Sequence, residues 1–438
     1  MPKAHTSSRA AAERLQTLVP GGAHTYAKGP DQYPADLAPV IARGRGSHVW
    51  DVDGREFIEY GSGLRSVALG HAHPEVVADV RACLEDGSNF ARPSVHELDA
   101  AEDFLSTVPT VDMVKFAKNG SDATTAAVKL ARAVTGRDEV AICVDHPFFS
   151  CDDWFIGATP LGAGIPKTVQ SLTVRFPFGD LDAARALLEE RAGKIACLVL
   201  EPETAQATPE GYLAALHQLA HEHGALVVLD ETITGFRRSE RGVQGLVGVR
   251  PDLTVFGKAM GNGFAVSALA GRREVMERGG LATSDPRVFL LSTTHGGETH
   301  ALAAARAVMR ICRRDGVAAR LDAVGRRLRT LVEEVTASEG VADRVVVRGR
   351  PCNLVFATLD PSGAPSQEYR TLFMRELLLN GVLAPSFVVS AALTDEDLER
   401  TAAAVGAACR TYRKALDSGD PLTWAGGRAV KPVFRTFA

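Results

Sequence analysis

Leu253-Thr254-Val255-Phe256-Gly257-Lys258-Ala259-Met260-Gly261-Asn262-Gly263 carries the reading of this chain. Four strand-forming residues run into a lysine set in a glycine-rich turn. Asp230, 28 positions earlier, ends a second apolar run, Val227-Val228-Leu229-Asp230-Glu231. Polar residues gather at strand C-termini in any parallel α/β sheet, so neither residue is specific alone.

A third stretch makes them specific. Lys118-Asn119-Gly120-Ser121-Asp122-Ala123 follows the strand-like Met113-Val114-Lys115-Phe116-Ala117. Ala126, Ala127, Leu130, Ala131 and Val134 then recur at helical spacing. Asn119 or Ser121 can cap that helix, and Gly136 can end it. A helix N-terminus offers unpaired N–H groups and the positive end of a dipole, which suits a phosphate. Gly120 allows close approach, and Ser121 adds a hydroxyl donor. A lysine at one strand end, an aspartate at another and a phosphate loop suit pyridoxal phosphate (PLP). The lysine forms a Schiff base, and the aspartate keeps the pyridine nitrogen protonated so that the ring can act as an electron sink.

The 438 residues suffice for a large domain and a smaller one. A hydrophobic share of 45% and a net charge of −4 describe an ordinary globular enzyme, with no basic patch for nucleic acid. Seven scattered cysteines without a Cys-x-x-Cys pair suit a reducing cytoplasm, and Cys197 reads as a packing residue. No apolar run reaches the roughly 18 residues of a membrane span, and Met1 to Leu15 lacks the apolar core of a signal peptide.

His48 to Ile58 reads as a hairpin turning at Asp53-Gly54. From about residue 75 to 290, strand patterns (Val140–Val144, Ile195–Leu200, Leu226–Leu229) alternate with helix patterns (Leu181–Arg191, Leu213–His223). That alternation predicts an α/β fold with a mostly parallel sheet. Three regions are expected: an N-terminal segment over 1–74 that contributes to the small domain and the substrate site, a large α/β domain over 75–299, and a smaller α+β domain over 300–438.

With these residues assembled, the chain resembles the fold-type I PLP enzymes and, within them, the class III aminotransferases. Trp50-Asp51-Val52-Asp53-Gly54 and Leu69-Gly70-His71-Ala72-His73-Pro74 are similar to that family's N-terminal signature. Asp230-Glu231-Thr232-Ile233-Thr234-Gly235-Phe236-Arg237 resembles its aspartate motif, and Thr294-His295-Gly296-Gly297-Glu298 its Thr-aromatic-Gly-Gly segment. Val19-Pro20-Gly21-Gly22 and Thr135-Gly136-Arg137-Asp138 resemble the glutamate-1-semialdehyde aminomutase branch. Gly22-Ala23-His24-Thr25-Tyr26 and Lys28-Gly29-Pro30-Asp31-Gln32-Tyr33-Pro34 look like relatives placed in sugar and natural-product pathways.

The resemblance implies roles. Lys258 would carry the cofactor and shuttle the proton, and Asp230 would pair with the pyridinium nitrogen. Asn119, Gly120 and Ser121 would hold the phosphate, and Thr294 would reach the phosphate of a neighbouring subunit in a homodimer. Phe148, with Phe149 as competitor, stands where the family has a stacking tyrosine. Thr232 replaces the usual valine on the other ring face. His24, Thr25, Tyr26, Lys28 and Arg65 are the expected substrate contacts, and Asp152 to Pro166 reads as a lid. Pro385-Ser386-Phe387-Val388-Val389 lacks the glutamate that the aminomutase carries at the Val388 position.

The implied function is amino transfer from a small-molecule donor, glutamate foremost, to a carbonyl acceptor such as a sugar, cyclitol or natural-product precursor. The alternatives are an intramolecular aminomutase or lyase-type reaction, and a non-catalytic PLP-binding regulator. The regulator would need an N-terminal DNA-binding domain, which residues 1 to about 45 are too short to supply.

Overall fold

Apolar runs too long for a half-exposed strand need cover on both faces, and the sheet they build has it. The computed structural model describes residues 7–146 and 148–436. Strands β1 (Ile41–Arg45), β2 (His48–Asp51) and β3 (Glu56–Glu59) come first. The predicted hairpin joins β2 to β3 in antiparallel register. Gly54 takes φ 83° in its turn, and Asp51 Oδ1 accepts from the N–H of Asp53 (3.0 Å) and of Arg55 (2.9 Å).

The large sheet follows: β4 (Met113–Ala117), β5 (Glu139–Cys143), β6 (Thr173–Phe176), β7 (Ile195–Leu200), β8 (Leu226–Asp230), β9 (Leu253–Phe256) and β10 (Ser267–Gly271). Their order is β4-β10-β9-β8-β7-β5-β6. The run from β9 to β6 is parallel, and β10 is antiparallel to both of its neighbours. Ser267 therefore pairs with Ala117, and Ala268 with Phe256. One edge of the sheet thus collects the C-terminal ends of β4, β7, β8 and β9.

Helices cover both faces. The Gly120–Thr135 helix buries Ala123, Ala126, Ala127, Leu130 and Ala131, and it packs against β7, β8, β9 and β10. Gly136 closes it in the left-handed conformation, φ 67°, with its N–H on Arg132 O. Leu213, Leu216 and Leu219 of the Tyr212–Glu222 helix meet Leu198, Leu200 and Leu229 in one core cluster. Each such leucine contributes about 1.5–3 kcal/mol on burial.

Two units divide the chain. One holds the described residues to Gly63, Leu69–His73 and Ala319–Arg435; the other holds Leu64–Ala68 and Pro74–Ala318. The first contains β11 (Val345–Arg348), β12 (Val355–Thr358) and β13 (Val382–Leu383). Its four-stranded sheet runs β1-β2-β3-β13, with β13 parallel to β3. The boundary expected at residue 300 falls at 318 instead. The Thr299–Asp315 helix stays with the large unit because its apolar face packs on the Pro74–Glu85 and Val95–Thr107 helices. Leu64–Ala68, expected in the N-terminal segment, also belongs to the large unit.

Among the described residues no helix is long and apolar enough to cross a membrane. All seven cysteines are free; Cys197 is fully buried and Cys151 exposed.

Candidate active site

The edge where β4, β7, β8 and β9 end is where Asp230, Lys258 and the Asn119–Ser121 loop come together. Asp230 is the last residue of β8 and is buried. Lys258 is the second residue after β9. Asn119 caps the Gly120–Thr135 helix just beyond β4, and Ser267 Oγ, at the start of β10, donates to its carbonyl at 2.7 Å. Thr232 ties these pieces together. Its N–H donates to Asp230 Oδ1 at 2.9 Å. A Cβ on Gly120 would lie 3.1 Å from Thr232 Cγ2, and one on Gly257 would lie 3.4 Å from the same atom. The helix start, the aspartate turn and the lysine turn are therefore in contact around one methyl group.

The loop before the helix is fixed by charge. Asp122 Oδ2 accepts from Asn119 N–H at 2.9 Å and from Lys118 N–H at 3.3 Å. Lys118 Nζ reaches Glu298 Oε2 at 2.7 Å, which brings the Thr294–Glu298 segment alongside. Ser121 is buried, and its hydroxyl accepts from Cys151 N–H at 3.0 Å, leaving its own hydrogen free to donate.

Charge is concentrated here out of water. Lys258 is half-buried, and burial pushes its ammonium pKa down; Glu201 and Asp230 oppose this, while Arg65 and Arg237 reinforce it. A depressed pKa favours the neutral, nucleophilic amine. Asp230 is pushed up by burial, against the Thr232 hydrogen bonding and Lys258. A cation beside it is what would keep it ionised.

Glu201 is the residue that sequence reading missed. It follows β7 directly, is buried, and faces Asp230, Lys258 and Arg65. Burial, with repulsion from Asp230, lifts its carboxyl from the ordinary 4.5 to about 8, against the pull of Lys258 and Arg65. The signal was present: a carboxylate just past a wholly apolar strand is the same pattern that singled out Asp230.

His146 positions it. The Glu201 N–H donates to His146 Nδ1 at 2.8 Å. Burial pushes that imidazole down to about 4, against Asp145, so it is neutral and its hydrogen sits on Nε2.

The raised Glu201 pKa has a measurable sign. The folded state holds this proton more tightly than the unfolded chain does. The stability it contributes is complete below about 4.5 and is lost as pH climbs through about 8. In cofactor-free protein the urea midpoint should decline across that window, and Glu201→Gln should flatten the decline. Equal slopes for wild type and variant would remove Glu201 from this role.

The remaining expected residues are placed as follows. Phe148 is 44% exposed and meets Phe155 edge-on at 5.7 Å, whereas Phe149 is buried between His146 and Phe155. Phe148 is thus the member of the pair with ring surface to offer. Arg65 is half-buried near Glu201, and its carbonyl accepts from the fully buried Arg237 Nε at 3.0 Å. Thr294 is exposed, with its carbonyl held by Asn89 Nδ2 at 3.1 Å. His24, Thr25, Tyr26 and Lys28 are exposed in the smaller unit. Within the expected lid, Trp154 and Phe155 are buried, and Trp154 Nε1 donates to Thr125 Oγ1 at 2.8 Å, so this end is anchored.

Two of the site residues, Arg65 and Lys258, are among the eight described non-glycine residues with left-handed backbone, which also include Ala72 and Leu291. Ser62, Gly63, Leu64 and Arg65 have φ of 45°, 55°, 59° and 74°, a full left-handed turn. Phe236 (61°), Lys258 (45°) and Asn262 (44°) are also left-handed. Each non-glycine residue held this way costs roughly 1–2 kcal/mol.

The site thus sets a lysine among strand-end carboxylates, beside a helix N-terminus at the edge of a mainly parallel sheet. The class-III aminotransferase model matches residues 31–399, and the chain belongs to that family. It is 33% identical over 412 residues to a glutamate-1-semialdehyde 2,1-aminomutase of Anaeromyxobacter sp. (strain Fw109-5), covering 89% of this chain and 94% of the relative. Its fold matches an omega-transaminase from Sphaerobacter thermophilus with TM-score 0.83 at 27% identity, covering 93% of this chain and 98% of that one. The FumI protein of Sphingopyxis sp. MTA144, solved in its PLP internal aldimine form, matches with TM-score 0.85 at 25% identity, covering 94% and 98%.

Proposed function

We propose that the protein is a PLP-dependent aminotransferase that moves an amino group from an amino-acid donor, with glutamate foremost, to a ketone or aldehyde acceptor such as a sugar, cyclitol or natural-product precursor. Pyridoxal 5′-phosphate is the cofactor of the family to which the chain belongs. The observation that carries the reading is the meeting of Gly120, Asp230 and Gly257-Lys258 around Thr232.

The residues fit the cofactor. A side chain on Gly120 would press on Thr232, so glycine leaves the helix N-terminus open to a phosphate. Asn119, Gly120 and Ser121 would bind that phosphate. Asp230 would hold a proton on the pyridine nitrogen, and Thr232 and Phe148 would line the ring. When bound, PLP supplies an electron sink that stabilises negative charge on the carbon next to the amine. Lys258 Nζ would hold the cofactor covalently and then carry the proton to and from that carbon. Arg65 gives the site a cation for a substrate carboxylate, and Glu201 beside it sets the charge balance. Exposed Thr294 would reach the phosphate of a second copy in a homodimer. We place the enzyme in the cytoplasm, on its free cysteines.

An intramolecular aminomutase is the second reading, favoured by the names of the curated relatives. Val388 weighs against it. It is fully buried, with its N–H on Tyr60 O at 3.1 Å and its carbonyl accepting from Ser62 Oγ at 3.1 Å. An apolar core residue there cannot make the polar contact that a glutamate would.

Donor alone should convert the enzyme to its pyridoxamine form and release one keto acid per site, and a second carbonyl substrate should restore it, giving ping-pong kinetics. Glutamate-1-semialdehyde should be a poor substrate. Its efficient conversion to 5-aminolevulinate without external donor would establish the aminomutase instead.

A further inference from the structure

The opposite edge of the large sheet carries a group of side chains that amino transfer does not use. His217 and His221 stand one turn apart on the Tyr212–Glu222 helix, so their imidazoles share a face. Their ring centroids are 4.1 Å apart. Asp252, the residue before β9, lies beneath them and is 1% exposed. His221 Nε2 is 3.0 Å from Asp252 Oδ1 and 2.9 Å from Oδ2. His217 Nε2 is 3.6 Å from Oδ2 and, although buried, has no hydrogen-bond partner among the described residues. One donor atom from each residue falls within 4.8 Å of the others.

We propose that His217, His221 and Asp252 form a binding site for a divalent cation of the zinc class. Two imidazole nitrogens and one carboxylate oxygen are a donor set for Zn²⁺, Ni²⁺ or Cu²⁺, whereas Mg²⁺ and Ca²⁺ demand oxygen. An ion about 2.0–2.2 Å from each of three tetrahedral ligands needs donor atoms roughly 3.3–3.6 Å apart, so the histidine-to-Oδ2 spacings need only small adjustment. The carboxylate is already held in place. Oδ2 accepts from Val227 N–H at 2.8 Å, and Arg272 Nη1 lies 3.2 Å from Oδ1. Such outer contacts orient a ligating carboxylate. Arg272 is also a competing cation; it contacts Oδ1 and leaves a lone pair of Oδ2 for the metal. The half-exposed His221 leaves the site open to solvent, so water can fill the fourth position. A bound ion would clip the helix to the start of β9, far from the chemistry at the other edge. It would stabilise the fold by mass action without entering the reaction.

The test uses the PLP-loaded enzyme, treated with chelator and desalted, then titrated calorimetrically with ZnCl₂ and, as a control, MgCl₂. One Zn²⁺ per chain should bind at micromolar concentration or tighter, with a higher Tm, and Mg²⁺ should not bind. His217→Ala and His221→Ala should each weaken Zn²⁺ binding by at least about tenfold while leaving amino transfer unchanged. Asp252→Asn is avoided, because Asp252 also holds the Val227 N–H and Arg272. No saturable binding up to millimolar Zn²⁺ would leave a plain histidine–carboxylate cluster and overturn the proposal. Stoichiometric binding that survives the double histidine variant would place the metal elsewhere and overturn it equally.

Discussion

Lys258→Ala should give a folded protein whose turnover is lower by at least about 10⁴-fold. General acid–base catalysis by one positioned side chain is worth about 10²–10⁴, and Lys258 is proposed to supply covalent attachment as well. The fold should survive. The lysine is only half-buried, and the sheet beneath it is closed by β8, β9 and β10, whose residues are almost all fully buried. Borohydride treatment of wild type should fix the cofactor to the peptide containing Lys258, and the alanine variant should yield no labelled peptide. Circular dichroism and Tm would exclude unfolding. Label on another lysine, or activity within tenfold of wild type, would end the assignment.

Asp230→Asn should slow the deprotonation step by about 10²–10³, the size of a single lost electrostatic contact in a dry site. Shape is preserved, and the amide oxygen can still accept the Thr232 N–H now held by Oδ1. What would be lost is the negative charge proposed to raise the pyridine nitrogen's pKa. Cofactor should remain bound through its phosphate, so the defect should appear in single-turnover kinetics and not in PLP content. A deprotonation rate equal to wild type would show that Asp230 is not the ring's partner.

Strands were the most legible part of the sequence. Ile195–Leu200 and Leu253–Phe256 match the expected limits, because continuous apolar runs bounded by turns leave little choice. Asp230 and Lys258 were legible for the same reason, since a polar residue at the end of such a run marks the edge of the sheet. Glu201 obeys that rule too, following the wholly apolar strand Ile195–Leu200, but no glycine-rich lysine turn or phosphate loop near it in sequence drew attention to it. His146 was hidden because its hydrogen bond spans 55 residues. The left-handed turn at Ser62–Arg65 contains a single glycine, and no local propensity announces it. The boundary at 318 was missed because an alanine-rich helix shows which face is apolar but not which neighbours will cover it.

Those left-handed residues bear on how this enzyme can evolve. Leu64, Arg65, Phe236, Lys258 and Asn262 hold backbone angles that glycine would adopt without strain. Together they draw several kcal/mol from a native state whose whole margin is about 5–15 kcal/mol. Selection for heat resistance alone would relax these positions first and dissolve the site while the core stayed intact. A lineage that keeps its chemistry in a hotter environment must gain its stability elsewhere, in surface charge, loop length or subunit contacts, and carry the strained turns forward unchanged.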